Sequence, residues 1–186
     1  MKIKNKAIFI DRDGVLNIEK SYIKSPEEFE LYSFSAEAIK KINHSEYLAI
    51  IITNQSGIAR NLFSEETLAE IHKKLFSELE KSEATIDKIY YCPHFPENLG
   101  NYNESYVKDC ECRKPKSGLF YEAANDFKIN LSNSFMIGDS ERDIVAGKNA
   151  GVTTIGVKTG KALKDSKIKS DYIFNNLMEA VDFILS

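Results

Sequence analysis

The 186-residue sequence has few cysteines, no long apolar run and no excess of basic residues. Three cysteines, an odd number, make a poor disulfide framework and are more typical of a metal site or of ordinary thiols. The longest apolar runs, AIFI at 7–10 and LAIII at 48–52, are far shorter than the ~20 residues of a membrane span. The net charge of −3 disfavours a dedicated nucleic-acid binder. We therefore expect neither a membrane span nor a nucleic-acid partner.

Repeats and low-complexity linkers are also lacking, and 42% apolar with 28% charged residues is typical of a soluble globular chain. We interpret residues 1–186 as one domain. The N-terminal apolar run meets Asp11 after four residues, whereas a secretory signal needs about 7–15. We therefore expect a cytoplasmic protein, which we predict to be a monomer.

Strand-like apolar runs alternate with helix-like periodicity along the chain. The predicted strands are 6–10, 48–53, 86–91, 135–138, 153–157 and 171–174. The predicted helices are 35–44, 64–81, one that opens at 117, a short one closed by Gly151, and 176–185. Ser35 and Ser64 are the expected capping residues, and His72 is expected to be solvated. Such alternation predicts an α/β fold, a Rossmann-like doubly wound parallel sheet.

Ligands of such sheets bind beyond the carboxyl ends of the strands, so the residues that follow the strands are the candidate site residues. Asp11 and Asp13 follow the first strand, Thr53 ends the second, and Asp139 follows the fourth. Lys114 precedes the helix that opens at 117. Each piece alone is ordinary turn chemistry, but together they place carboxylates, a hydroxyl and a cation at one edge.

Gathered carboxylates repel each other, and a hard cation such as Mg²⁺ removes that cost while also binding a phosphate oxygen. Asp11 is then a candidate nucleophile toward phosphorus, because an aspartyl-phosphate splits a slow hydrolysis into two easier steps. Asp13 can act as general acid and then base. Thr53 and Lys114 can hold the oxygens of the transferring phosphoryl group. The set therefore predicts a Mg²⁺-dependent phosphomonoesterase.

Four motifs, FIDRDGVLN (9–17), IITNQSGIAR (51–60), CRKPKSG (112–118) and MIGDSERDI (136–144), resemble those of the haloacid dehalogenase superfamily of phosphohydrolases. With YYCPHFP and CxCRKP, they are similar to the group that contains heptose bisphosphate phosphatases and histidinol-phosphatases. The resemblance implies a haloacid dehalogenase-like fold. The insertions at 14–47 and 54–113 are too short for a large cap domain, so the site should be open.

The resemblance also implies residue roles. Mg²⁺ would be held by Asp11, Asp139 and the main-chain carbonyl of Asp13. The substrate would be bound by residues of four segments, namely Glu19, Lys20, Ser21 and Tyr22; Asn54, Gln55 and Ser56; Arg113; and Ser140. At position 140 the resemblance implies a lysine. Ser140 lacks the positive charge with which a lysine would bind the second phosphate of the substrate.

A Cys/His cluster is the second feature with chemistry. Cys92 and His94 form one pair, Cys110 and Cys112 another, and a polar loop separates them. Four N/S ligands suit a closed tetrahedral zinc site. We therefore predict that residues 92–112 form a loop held by structural Zn²⁺, which would also place the adjacent Arg113 and Lys114.

The function implied by the resemblance is removal of the C7 phosphate of D-glycero-D-manno-heptose 1,7-bisphosphate. This step belongs to nucleotide-activated heptose biosynthesis for lipopolysaccharide or capsule precursors. The nearest alternative is a histidinol-phosphatase. Polynucleotide 3′-phosphatases share the core motifs, but the acidic balance disfavours them. A zinc-stabilised interaction module with vestigial phosphatase motifs is the alternative from another class.

Overall fold

The computed structural model describes residues 5–97, 100–160, 163 and 168–186. Six parallel strands form one sheet in the order β3-β2-β1-β4-β5-β6. Their bounds are Lys6–Ile10 (β1), Tyr47–Asn54 (β2), Lys88–Cys92 (β3), Phe135–Gly138 (β4), Thr153–Val157 (β5) and Tyr172–Phe174 (β6). β1 and β4 are neighbours at the centre, so their carboxyl ends lie side by side.

Five helices cover the sheet on both faces. Their bounds are Ser35–Asn43 (α1), Glu65–Glu80 (α2), Gly118–Phe127 (α3), Glu141–Ala150 (α4) and Leu177–Leu185 (α5). Short 3₁₀ turns lie at Pro26–Glu28, Glu104–Tyr106 and Leu131–Asn133. The predicted doubly wound parallel sheet is confirmed, and the described chain between β1 and α1 holds only loop and one such turn.

The buried apolar residues form two layers, one on each face of the sheet. The first layer joins α1, α2 and α5, with Ile39, Ile71 and Val181 among its members. The second joins α3 and α4, with Phe120 and Ala146 among its members. Central strands therefore bury both faces, which explains why β1 and β2 are almost continuously apolar in sequence.

The helix starts show which local predictions the structure supports. Ser64 caps α2, because its side chain accepts a hydrogen bond from the Thr67 amide. The prediction for Ser35 was wrong, since it is the first residue of α1 and its hydroxyl donates to the Leu16 carbonyl at 2.6 Å. Ser35 is fully buried, so it satisfies a loop carbonyl of the core.

Among the residues described, every helix is too short or too polar to cross a bilayer.

Candidate active site

A cavity of about 350 Å³ opens at the carboxyl ends of the central strands. Asp11 lies directly beyond β1, Thr53 lies near the end of β2, and Asp139 lies directly beyond β4. Asp13 and Lys114 complete the set, and all five residues line the cavity. The parallel sheet therefore brings together the residues that the sequence placed after separate strands.

An acidic cluster forms the floor of this cavity. Asp11, Asp139 and Asp143 each offer a carboxylate oxygen, and these oxygens lie within 4.8 Å of one another. Burial, together with the nearby Asp143 charge, raises the pKa of Asp11 to about 7. Burial and the Asp11 charge raise the pKa of Asp139 to about 8. Crowded, buried carboxylate oxygens of this kind fit a hard divalent cation, which would relieve their repulsion.

Lys114 is the cation of the cluster and is 2% exposed. Its Nζ lies 3.0 Å from Asp11 Oδ1 and 2.6 Å from Asp143 Oδ1, and it donates to the Ile52 carbonyl at 2.9 Å. Burial acts to lower the pKa of Lys114, but the Asp11 and Asp143 carboxylates raise it above its usual value. Lys114 therefore stays charged beside the candidate nucleophile.

Asp143, four positions after Asp139 in the sequence, is the fully buried member of the cluster. It lies in the first turn of α4, and its Oδ2 accepts from the Ser140 amide at 3.0 Å and from the Ser140 hydroxyl at 2.5 Å. This capping box holds Asp143 toward Lys114. Ser140 lines the cavity, but its hydroxyl is already engaged in fixing that carboxylate.

The Asp13 side chain points away from the acidic cluster and onto Arg12. Arg12 is 1% exposed, and its Nη2 donates to both Asp13 oxygens at 2.9 and 2.8 Å. Asn17 and Gln55 each donate one further hydrogen bond to Asp13, at 3.0 and 2.8 Å. Burial opposes ionisation, yet Arg12 and these donors hold the pKa of Asp13 below its usual range.

Most of the predicted substrate-binding residues line the cavity. They are Glu19, Ser21, Tyr22, Asn54, Ser56, Arg113 and Ser140. Lys20 is not among the lining residues, because its Nζ binds the Glu28 carbonyl and Glu30 on the surface. Gln55 is also outside the lining, since its amide nitrogen is buried between Asp13 and Thr53. Its position suits holding Asp13 rather than contacting a sugar.

Asn54 has a structural task as well as a place in the cavity wall. Its side-chain amide donates to the Lys114 carbonyl at 3.0 Å and accepts from the Lys114 amide at 3.0 Å. This two-way pairing ties the segment of Lys114 to the end of β2, which places the buried Nζ next to Asp11.

Arg142 is a cavity residue that sequence reasoning missed. It occupies the second position of α4, is exposed, and forms no ion pair with any residue in the described ranges. Arg113 lines the same cavity, and burial is the main cause that lowers its pKa. The nearby positive charge of Arg142 lowers it further. The signal available in sequence was a cation two positions after Ser140.

The Cys/His cluster forms a compact group beside the cavity. Its distances are 3.6 Å from Cys92 Sγ to Cys110 Sγ, 3.3 Å from Cys110 Sγ to Cys112 Sγ, and 3.3 Å from Cys112 Sγ to His94 Nδ1. All three cysteines are free. Tetrahedral ligands at about 2.3 Å from Zn²⁺ lie roughly 3.8 Å apart, so a modest expansion of this group fits the ion.

The cluster is connected to the cavity through Arg113. Its Nη1 donates to the His94 carbonyl at 3.1 Å, and its guanidinium lies 5.0 Å from the centre of the Phe95 ring. Arg60 lies on the same ring at 4.0 Å. Both arginines therefore make cation–π contacts with Phe95. The positions of their side chains depend on the position of the loop that carries this ring.

Gly160 is a backbone position that the acidic cluster requires. A Cβ at Gly160 would overlap the Asp139 carboxylate. We expect Gly160→Ala to displace Asp139 and to lower the apparent Mg²⁺ affinity by about 10- to 100-fold, as outer-shell changes at metal sites do. Isothermal titration with MgCl₂ measures this. Gly151→Ala is the control, because it strains a left-handed residue (φ +80°) with open space around it. Equal Mg²⁺ affinity in both variants would contradict the assignment.

The fold and the site define the class of HAD-like hydrolases, and a HAD-hydrolase-like family model matches residues 111–180. A D-glycero-beta-D-manno-heptose-1,7-bisphosphate 7-phosphatase from Haemophilus ducreyi is 38% identical over 96% of this chain and 98% of its own length. The corresponding alpha-anomer phosphatase from Campylobacter jejuni is 37% identical over 97% and 96%.

Comparison with solved structures indicates the same family as the sequence relatives. A D,D-heptose 1,7-bisphosphate phosphatase from B. bronchiseptica, in complex with magnesium and phosphate, matches with a TM-score of 0.86 and 32% identity. That match covers 97% of this chain and 98% of the other. The chain belongs to the heptose-1,7-bisphosphate 7-phosphatase family of HAD-like phosphatases. The resemblance stated from the motifs is confirmed.

Proposed function

We propose that this protein removes the C7 phosphate of D-glycero-D-manno-heptose 1,7-bisphosphate in nucleotide-activated heptose biosynthesis. The observation that carries the proposal is one cavity with two regions for anions. Asp11, Lys114 and Asp139 lie at its floor, and the cations Arg113 and Arg142 lie in its wall. A sugar with a phosphate at each end fits such a cavity, and the family relatives named above support the same substrate class.

In the first step the Asp11 carboxylate attacks phosphorus, and the bond from phosphorus to the sugar oxygen breaks. The leaving oxygen takes a proton from Asp13. In the second step water attacks the aspartyl-phosphate, the bond to Asp11 breaks, and Asp13 accepts the proton of the water. Before substrate binds, Asp13 is ionised and held by donors of three residues, Arg12, Asn17 and Gln55, which suits the second step. In the first step the negative charge of the bound substrate favours protonated Asp13, which supplies the proton to the leaving oxygen.

Thr53 and Lys114 stabilise the phosphoryl group during transfer. Lys114 lies 3.0 Å from Asp11, so its charge is next to the oxygens that gain charge in the transition state. Asp11, Asp139 and the main-chain carbonyl of Asp13 would hold Mg²⁺, with Asp143 as the further carboxylate beside them. When bound, Mg²⁺ neutralises the phosphate charge that would otherwise repel Asp11.

Cys92, His94, Cys110 and Cys112 would hold a structural Zn²⁺ with no open position. The support is that all four ligand atoms lie within 4.8 Å of one another. Hydrogen bonding from Cys92 lowers the pKa of Cys112 to about 5, so a thiolate is available for the ion. We further propose that the protein acts as a monomer in the cytoplasm, where free thiols are ordinary.

Arg142 would bind the phosphate that is not hydrolysed, together with Arg113. Their like charges face the same cavity, and a phosphate dianion would relieve the repulsion between them. Arg142 thus replaces the positive charge that the resemblance places at position 140, where this chain has a serine.

We expect Arg142→Ala to raise KM for the heptose bisphosphate by about 10-fold, because a charge-assisted hydrogen bond is worth roughly 1.5–3 kcal/mol. For heptose 7-phosphate, which lacks the second phosphate, KM should stay the same. Lys148→Ala, a change of another cation in α4, is the matched control. A parallel rise in KM for both substrates would contradict the assignment.

The function itself is tested with a panel of phosphate esters. Both anomers of heptose 1,7-bisphosphate, heptose 7-phosphate and histidinol phosphate are compared by release of inorganic phosphate. We expect the highest kcat/KM for one of the bisphosphate anomers. A clear preference for histidinol phosphate would overturn the proposal and favour a histidinol-phosphatase. No turnover of any ester with Mg²⁺ present would favour a zinc-stabilised interaction module.

A further inference from the structure

His72 is a half-buried histidine that no step of the proposed reaction uses. It lies in α2, next to Ile71, a fully buried residue of the core. Its Nε2 is 3.4 Å from Nη1 of the buried Arg12. The expectation of a solvated side chain was therefore wrong, because the helix turns this residue toward the loop that follows β1.

The chemistry of the pair determines which atom donates. A guanidinium carries donors only, so Nε2 of His72 accepts and the ring proton lies on Nδ1. Burial and the Arg12 charge lower the pKa of His72 to about 4, so the ring is neutral. The His72 ring also packs edge-on against the Tyr91 ring, with 6.1 Å between the ring centres. The Tyr91 hydroxyl in turn donates a hydrogen bond to Glu65 at 3.1 Å. His72 is thus held from two sides.

Arg12 depends on this histidine. Its Nε and Nη2 donate to Asp13, whereas Nη1 has His72 as its only hydrogen-bond partner among the residues that the structure describes. Arg12 is 1% exposed, so water is a poor substitute for that partner. A buried donor that loses its acceptor is costly, and the side chain shifts to find another.

We propose that His72 is a positioning residue, which anchors Arg12 through Nη1 and thereby holds the Asp13 carboxylate in the orientation that accepts a proton from water. The inference rests on the roles proposed above for Asp11 and Asp13. It concerns the second step, in which water attacks phosphorus, the bond to Asp11 breaks and Asp13 takes the proton of the water. His72 is not among the residues that line the cavity, so it acts through Arg12.

An aryl phosphate separates this step from the first. Phosphoryl transfer from p-nitrophenyl phosphate to Asp11 needs no proton, because p-nitrophenolate is a good leaving group, and kcat/KM reports on that transfer. Breakdown of the aspartyl-phosphate still needs Asp13 and limits kcat when the base is misplaced. A misplaced Asp13 therefore lowers kcat and KM together and leaves kcat/KM unchanged.

The experiment compares His72→Leu, which removes the acceptor, with His72→Gln, whose amide oxygen can take its place. We expect the leucine variant to lose about 10- to 100-fold in kcat, as small displacements of catalytic groups do. Its kcat/KM should stay within about 2-fold of the wild-type value. A change that small means that the transition state of the first step keeps its interactions. A rapid-mixing burst of p-nitrophenolate should approach the enzyme concentration, and the glutamine variant should recover most of kcat. His44→Leu, a histidine at the end of α1, is the control and should match the wild type.

Three results would overturn the proposal: an unchanged kcat in the leucine variant, an equal fall in kcat and kcat/KM, or a glutamine variant no better than leucine. If the leucine variant does not fold, His72→Asn takes its place, because its shorter side chain keeps polarity but does not reach Arg12. The assay needs no heptose, so a failure of the proposed sugar substrate is seen separately in the panel of esters.

Discussion

Replacing the candidate nucleophile, Asp11→Asn, is expected to reduce kcat for every phosphate ester by about 10⁴-fold or more, the scale found when a covalent nucleophile is removed. The amide is a poor nucleophile toward phosphorus, and it removes one of the three carboxylates of the acidic cluster. Release of p-nitrophenolate with saturating Mg²⁺ measures the loss.

Two additions make this result specific. Asp182→Asn, a change of an exposed carboxylate that pairs with Lys41, should retain wild-type activity. The wild type, quenched with acid during turnover of ³²P-labelled substrate, should carry label that the Asp11→Asn protein lacks. Substantial activity or label in the Asp11→Asn protein would rule out the nucleophile assignment and with it the two-step mechanism.

Disruption of the Cys/His cluster, the proposed zinc site, is expected to have the second large effect, this time on stability and activity together. Structural zinc contributes on the order of 10 kcal/mol to folding of small zinc peptides. In this chain the cluster fixes the end of β3 to the segment that carries Arg113 and Lys114. We therefore expect Cys112→Ser to bind less than stoichiometric zinc, to lower Tm by several degrees and to reduce kcat/KM.

The matched control is Asp109→Asn, which lies in the same loop and pairs on the surface with Lys116. It should keep stoichiometric zinc, measured by atomic emission of protein prepared without chelator, and wild-type kcat/KM. Full activity of Cys112→Ser without zinc would show that the loop is held by its own contacts, such as the bonds of Phe95 to Tyr106 and Lys108.

The motifs at the strand ends could be predicted from the sequence for a simple reason. Each apolar run stops at a polar residue, and parallel strands bring their carboxyl ends to one edge whatever the details of packing. Asp11, Thr53 and Asp139 therefore lie together as expected. The Cys/His cluster could be predicted for a similar reason. Two closely spaced pairs of potential metal ligands are typical of a metal site, and their side chains do lie together.

Side-chain direction was harder to predict. Lys20 and Gln55 lie in segments that contact the cavity, yet one turns to the surface and the other into the interior. His72 occurs in an amphipathic helix among lysines, and only the packing of α2 against the loop after β1 takes it to Arg12. Arg142 reaches the cavity because α4 begins there, which requires the tertiary position of that helix.

By itself, the sequence determined which chemical groups are available to this protein: a candidate aspartate nucleophile with its neighbours, four candidate metal ligands, and strands that end at both. Only the tertiary structure decided how these groups are paired. Asp143 joins Asp11 and Asp139, whereas the Asp13 carboxylate turns to Arg12 and leaves the acidic cluster. The physical reason is that local periodicity specifies helices and strands, while burial forces each charged group to find whichever partner the packed chain brings within hydrogen-bond distance.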